Sequence, residues 1–198
     1  MRQFPDDRPA RSISPVTCLL VIVLAAPVSA QQAWQIDSGD VRVRCPLTVG
    51  GSFTATTTDI AGALTARGGP SLDGVLRVDL RTLDTGIDLR NRHMRDNYLE
   101  VARGEAFAYA ELHDVELPGS DATRASGKVA FRGNLRLHDV TRIVEGEAEL
   151  TRDGGRLRVV ARFPVSLDAH DVPPPRYLGV GVRDEVRVEV RFEAVERR

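Results

Sequence analysis

The sequence predicts an all-β domain closed into an antiparallel barrel, and three observations predict it. Apolar and polar residues alternate with a period of two through most of the chain, the pattern of strands that are wet on one face and buried on the other. Short turns rich in Gly, Pro and Asp separate these runs, so neighbouring strands are antiparallel. Several runs exceed the usual strand length of about 5 to 6 residues, and long, even strands with one apolar face suit closure. About eight or nine strands are expected, and a two-sheet sandwich is the competing architecture because alternation alone does not exclude it.

The chain has 198 residues, 42% hydrophobic and 28% charged, with a net charge of -1. That balance describes one globular domain, and it leaves no basic surplus to neutralise a nucleic-acid backbone. Residues 1–30 stand apart from the fold. Arg2, Arg8 and Arg11 precede an uncharged run from Val16 to Pro27, and Val28-Ser29-Ala30 places small residues before a cut after Ala30. This is the order of a secretory signal. The run falls short of the about 20 apolar residues a membrane span needs, so a soluble periplasmic or secreted domain over residues 31–198 is expected. Cys18 leaves with the leader. Cys45 is then alone, and its place beside Val41 and Val43 on one face of VRVRC predicts a buried, inert thiol.

Within the mature chain, Leu76, Val78 and Leu80 alternate with Arg77, Asp79 and Arg81. Val129, Phe131, Gly133, Leu135 and Leu137 form the inward face of the next clear strand. Leu157, Val159, Ala161 and Phe163 repeat the pattern. Val186, Val188, Val190, Phe192 and Ala194 alternate with Arg187, Glu189, Arg191 and Glu193 in the last strand. Weaker strands fit residues 53–58, 61–66, 107–116 and 141–151. Asp153-Gly154-Gly155 is the best hairpin turn. From Asp84 to Glu100 the rhythm breaks: Ile87, Asn91, Met94 and Tyr98 fall at helical spacing, and Thr85 or Asp84 can cap the start. A short helix across one end of the barrel is expected.

In this order the residues resemble the YceI-like family of secreted and periplasmic proteins. The matching elements are Trp34-Gln35-Ile36-Asp37, Gly51-Ser52-Phe53, Ile60-Ala61-Gly62, Arg90-Asn91-Arg92-His93-Met94 and the closing strand Val186 to Ala194. The most specific is the run from Phe131 to Arg142 (FRGNLRLHDVTR). The resemblance covers nearly all of residues 33–195. It implies an extended antiparallel, eight-stranded, lipocalin-like barrel that holds a long isoprenoid, such as a polyprenyl quinone or polyprenyl phosphate, and it implies no catalytic residues or cofactor. Three departures from the family pattern, Ser38-Gly39-Asp40, Asn97-Tyr98-Leu99 and His170 to Pro175, are expected near the mouth of a pocket.

With a barrel ligand implied, the candidate contacts are the inward positions of the strands. They comprise Phe53; Leu76, Val78 and Leu80; Leu112; Val129, Phe131, Gly133 and Leu135; Val159 and Phe163; and Val188 and Val190. The helix adds His93 and Met94. Gly133 is expected to leave room beside a bound chain, and the head group is expected near His93, Arg92 and Arg95.

Other chemistry lacks its constellation. The histidines His93, His113, His138 and His170 are scattered, without HxxxH, HxH or CxxC spacing, so no metal site is expected. His138, beside Asp139 at a turn, is expected to be solvated. There is no G-x-S-x-G and no phosphate-cradling Gly loop. The many acids alternate with arginines on outward faces, as cross-strand pairs rather than a glycosidase dyad. Two readings remain: a carrier of a long isoprenoid or other lipid, and a partner-binding module with a solid core that assists an envelope redox or stress system. An enzyme is the weakest reading, and the sequence leaves a homodimer open.

Overall fold

The computed structural model describes residues 31–177 and 180–197. The expected leader, residues 1–30, lies outside them. In chain order the strands are β1 (Gln32–Pro46), β2 (Ser52–Thr57), β3 (Ile60–Ala66), β4 (Ser71–Asp79), β5 (Tyr109–Glu116), β6 (Gly127–Leu137), β7 (Val140–Asp153), β8 (Arg156–Ser166), β9 (Arg176–Tyr177), β10 (Val180–Gly181) and β11 (Glu185–Arg197). Between β4 and β5 lie the short helices α1 (Asp88–His93) and α2 (Glu105–Ala108). The sheet runs β11-β8-β7-β6-β5-β4-β3-β1, and β1 pairs back onto β11, which closes an eight-stranded antiparallel barrel. β2 lies in line with β3 along β1, and Thr58 and Asp59 interrupt the two. Closure leaves no barrel strand without a partner on either side, which removes the edges an open sheet would expose.

The inward faces follow the alternation. Phe131, Leu135, Leu157, Val159, Phe163, Val186, Phe192 and Ala194 are all buried. Outward arginines meet outward acids across strands, as in Arg162 to Glu189 at 2.6 Å and Arg158 to Glu193 at 2.6 Å. Phe131 and Phe163 meet edge to face, with ring centroids 5.6 Å apart, and Gly146 makes room for them. A Cβ on Gly146 would lie 2.7 Å from the Cβ of Phe163 and 3.0 Å from the Phe131 ring, so a side chain there would displace the aromatic pair.

The register defines two ends. At one, the start of β1 meets the end of β11, and the β3–β4, β5–β6 and β7–β8 connections gather. The β5–β6 loop closes this end: Leu117, Ala122 and Ala125 are buried, and the N-H groups of Leu117 and Ala122 donate to the carbonyls of Pro70 and Gly69. At the other end lie the β1–β2 turn, residues 80–108, residues 167–177 and residues 180–184, and here the barrel opens.

Three local expectations are corrected. α1 carries no side-chain cap, because Ile87 occupies the capping position. Asp84 instead accepts from the Gly86 N-H and from Nδ2 of Asn91, while Oδ1 of Asn91 accepts from the N-H and hydroxyl of Thr85. The buried Asn91 thus fastens the helix to its own approach loop. α1 then passes without a break into a wide turn, Met94–Tyr98, where the N-H of Leu99 reaches back to the carbonyl of Met94. Second, His138 is not solvated. It and Asp139 form the β6–β7 turn with φ of 54° and 62°, but residues 99–108 fold back over that turn. The Asp139 N-H donates to the carbonyl of Ala106, Nε2 of His138 donates to the Glu100 carboxylate at 3.0 Å, and Phe107 meets its ring edge to face. Third, Ser38-Gly39-Asp40 lies within the wall rather than at the mouth. β1 is longer than the alternation indicates because a bulge between Ile36 and Ser38 breaks its period.

Candidate functional site

The barrel encloses one continuous cavity of about 940 Å³, near the upper end of the range of about 300–1,000 Å³ for small-molecule sites. Its wall is overwhelmingly apolar. Medium-sized side chains such as Ala55, Ala148, Ala161, Val188 and Val190 line the middle, and none reaches across to fill it. Trp34, Leu72, Leu117, Leu150 and Arg152 line the closed end. At the open end the lining is Cys45, Phe53, Ile87, Leu89, Arg90, His93, Met94, Tyr98, Val180 and Val182.

Polar groups therefore sit at the two ends of an apolar tube. At the mouth the Arg90 guanidinium stacks 4.4 Å from the centroid of the Phe53 ring, and exposed His93 stands one helical turn further on. Cys45 lies on the inner face of β1, half buried against the cavity rather than packed in a solid core. Burial pushes its thiol up to about 11, against the opposing pull of the Arg90 charge, so at neutral pH it is a protonated and sluggish nucleophile. At the floor, Nε of Arg152 donates to the carbonyl of Ala125 at 2.9 Å, and a terminal nitrogen donates to the carbonyl of Ala122 at 2.8 Å. Its two backbone partners belong to the loop that closes the barrel.

The cavity gathers almost all of the residues picked from the sequence. Phe53, Leu76, Val78, Leu80, His93, Met94, Leu112, Phe131, Leu135, Val159, Phe163, Val188 and Val190 all line it. Val129 and Gly133 do not. Val129 packs against the core near the start of β6, at the closed end. Gly133 faces inward, but a bulge in β5 brings Leu112 over it, with Cδ1 of Leu112 at 3.0 Å from the position of a Cβ. The space beside Gly133 is thus already occupied, and a larger side chain there would strike Leu112 before it reached the cavity. The cations expected around the head group are also redistributed: Arg92 and Arg95 do not line the cavity, whereas Arg90 does. A helix spreads consecutive residues by 100° each, so only one of these arginines shares the inward side with Met94. Arg152 was invisible as a site residue because its outward neighbours Thr151 and Asp153 disguise it as one more charge at a strand end. Among the described residues, no three His, Cys, Asp or Glu side chains come together as a metal ion would require.

A closed antiparallel barrel whose apolar interior opens at one end is the architecture of a barrel that encloses a ligand, rather than one filled by its own side chains. The chain belongs to the YceI-like family: the YceI-like domain matches over residues 34–194. Solved structures share the fold. A polyisoprenoid-binding domain from Saccharophagus degradans, implicated in plant cell wall breakdown, is similar with a TM-score of 0.62 and 17% identity, over 84% of this chain and 99% of that one. BcnA from Burkholderia cenocepacia is similar with a TM-score of 0.60 and 12% identity, over 78% of this chain and 96% of that one. No curated protein sequence is similar enough to this chain to count as a relative.

Proposed function

We propose that this chain is a periplasmic or secreted carrier that holds one long apolar molecule of isoprenoid type, its tail in the barrel and its polar end at the mouth beside Arg90 and His93. The observation that carries the reading is the apolar cavity of the barrel, closed at the Arg152 end and open at the α1 end. A tube with one opening suits a ligand that is long, flexible and polar at one tip only. The polyisoprenoid-binding description of the Saccharophagus degradans relative supports the ligand class. Family membership and the leader-like residues 1–30 support export. No step of catalysis belongs to this reading. Arg90 and His93 act as hydrogen-bond donors to a head group, and the wall supplies burial.

Protein purified from the native envelope and extracted with organic solvent should yield a stoichiometric prenyl lipid by mass spectrometry. Intact mass of the same sample should lack residues 1–30. A protein that carries no lipid, and that takes up no prenyl alcohol when one is offered, would overturn the proposal.

A further inference from the structure

The fixed charges that line the cavity are all positive. Among the described residues they are Arg90 at the mouth and Arg152 at the floor, and no Asp or Glu joins them. The two cations differ in their surroundings. Arg90 stands at the opening, where water and salt screen its charge. Arg152 continues the inward face of β7 after Ala148 and Leu150, at the end that the β5–β6 loop closes. Burial there pulls its pKa down, the mark of a charge set in an environment poor in water.

The hydrogen bonds of Arg152 leave it incompletely served. A guanidinium carries five N-H groups. Nε donates to the carbonyl of Ala125, Nη2 to that of Ala122, and Nη1 reaches Oε1 of Gln32 at only 3.4 Å. The remaining N-H groups have no acceptor among the described residues. No carboxylate there comes within 4.0 Å of the guanidinium; the Glu196 charge acts on it from farther away. A hydrocarbon tail that ends at this floor offers the fork nothing to bind, whereas an anion that reaches it meets a charge that folding has already desolvated.

We infer that the cavity also takes long-chain carboxylic acids of fatty-acid type head-down, with the carboxylate on Arg152 and the alkyl tail running up the tube toward the mouth. A carboxylate is flat, small and singly charged, and it matches the edge of a guanidinium. A slender chain follows such a head through an apolar tube, which a quinone ring or a strongly hydrated phosphate does not lead as easily. At the floor the low dielectric strengthens the pairing, while the same pairing at the mouth is weakened by water. The acid shares the tube with the prenyl lipid of the carrier reading but lies in it the other way round, so the two readings are tested separately.

Trp34 is the only tryptophan in the chain and lies against Arg152, so its fluorescence reports what reaches the floor. Bromine quenches a tryptophan that it touches. Delipidated protein purified from the envelope is titrated with palmitic acid brominated either beside the carboxyl group or at the methyl end, with the matching alcohols, and with a fluorescent prenyl alcohol. Bromine beside the carboxyl group should quench Trp34 strongly, and bromine at the methyl end only weakly. Arg152→Met should lower the ratio of acid affinity to alcohol affinity by about tenfold or more, and Arg152→Lys should restore part of it. The ratio cancels any loosening of the floor that affects both ligands. Quenching from the methyl end alone, or a ratio that falls in Arg90→Gln and not in Arg152→Met, would put the carboxylate at the mouth and overturn the inference. Acids that do not bind while the prenyl alcohol is taken up would overturn it and leave the carrier reading intact. Acids bound head-down by a protein that takes up no prenyl alcohol would overturn the isoprenoid reading and leave this one standing.

Discussion

The guanidinium of Arg152 lies 4.7 Å from the centroid of the Trp34 ring, stacked on the deepest aromatic residue of the cavity while its nitrogens hold the carbonyls of Ala122 and Ala125. One side chain therefore joins the β7 end, the β1 start and the β5–β6 loop. Burial pulls its pKa down and the nearby Glu196 charge pushes it back, yet an arginine keeps its charge. The charged, forked donor offsets two carbonyls that would otherwise be left at the edge of an apolar cavity.

Arg152→Met should keep the stem packed on Trp34 but free both carbonyls, at a cost of about 2 to 4 kcal/mol. Arg152→Lys should recover part of this, because one ammonium on a flexible stem cannot serve two fixed carbonyls as the fork does. Chemical denaturation measures the loss, and hydrogen exchange at residues 117–126 locates it. Equal stability in all three proteins would show that the loop closes the floor without Arg152.

Cys45 offers a reporter for cavity occupancy. Its thiol faces the cavity and is held up to about 11, so a maleimide at neutral pH should label it slowly, and the rate should climb with pH toward that value. A ligand that fills the mouth should slow labelling further. Arg90→Gln removes the charge that opposes the rise and should slow it as well. Rapid labelling at neutral pH in the ligand-free protein would contradict the buried placement.

What could be read from the sequence followed the period-two alternation. Phe131, Leu135, Val159, Phe163, Val188 and Val190 were assigned inward because nothing disturbs the alternation on β6, β8 and β11, and all six face the cavity. Prediction weakened wherever a bulge shifts the phase, at Asp37 in β1 and around Asp114 in β5. The second bulge explains Gly133: the strand face was right, but whether the space above it was empty depended on Leu112 from a neighbouring strand. Long-range cover was likewise hidden. His138 read as a solvated turn residue because the segment that buries it, residues 99–108, comes from a different part of the chain. The cavity itself was legible only through the family resemblance, since inward residues of similar size can fill a barrel or line one.

Acid should loosen the wall at Glu111. Burial works to raise its carboxyl, but hydrogen bonding to Arg136 at 2.5 Å, together with Arg77 and His113, holds it below the usual carboxylate range. A lowered folded-state pKa contributes stability that is fully present above the unfolded value of about 4.3 and is lost as pH falls through the folded value. Glu111→Gln should therefore cost about 1 to 2 kcal/mol at neutral pH, and the gap to wild type should close as pH drops below about 4. Thermal melts across that range measure it. A constant gap would mean that shape rather than charge makes the contribution.

Tail and head group should contribute unequally to affinity. Each methylene-sized group buried is worth about 0.8 kcal/mol, so a few isoprene units in a cavity of about 940 Å³ exceed the about 1.5 to 3 kcal/mol of one charged hydrogen bond. Affinity for a series of prenyl alcohols should rise steeply with length and then level off once the tube is full. Arg90→Gln should barely change binding of the alcohols, which carry no charge, but should weaken the matching prenyl phosphates by about tenfold or more. His93→Ala, exposed at the rim, should cost no more than about tenfold in either series. Isothermal titration or displacement of a fluorescent prenyl probe reads all three. Affinity indifferent to length, or alcohols lost as completely as phosphates in Arg90→Gln, would shift recognition from the tail to the mouth. The apolar wall would then be a lining that the true ligand does not fill.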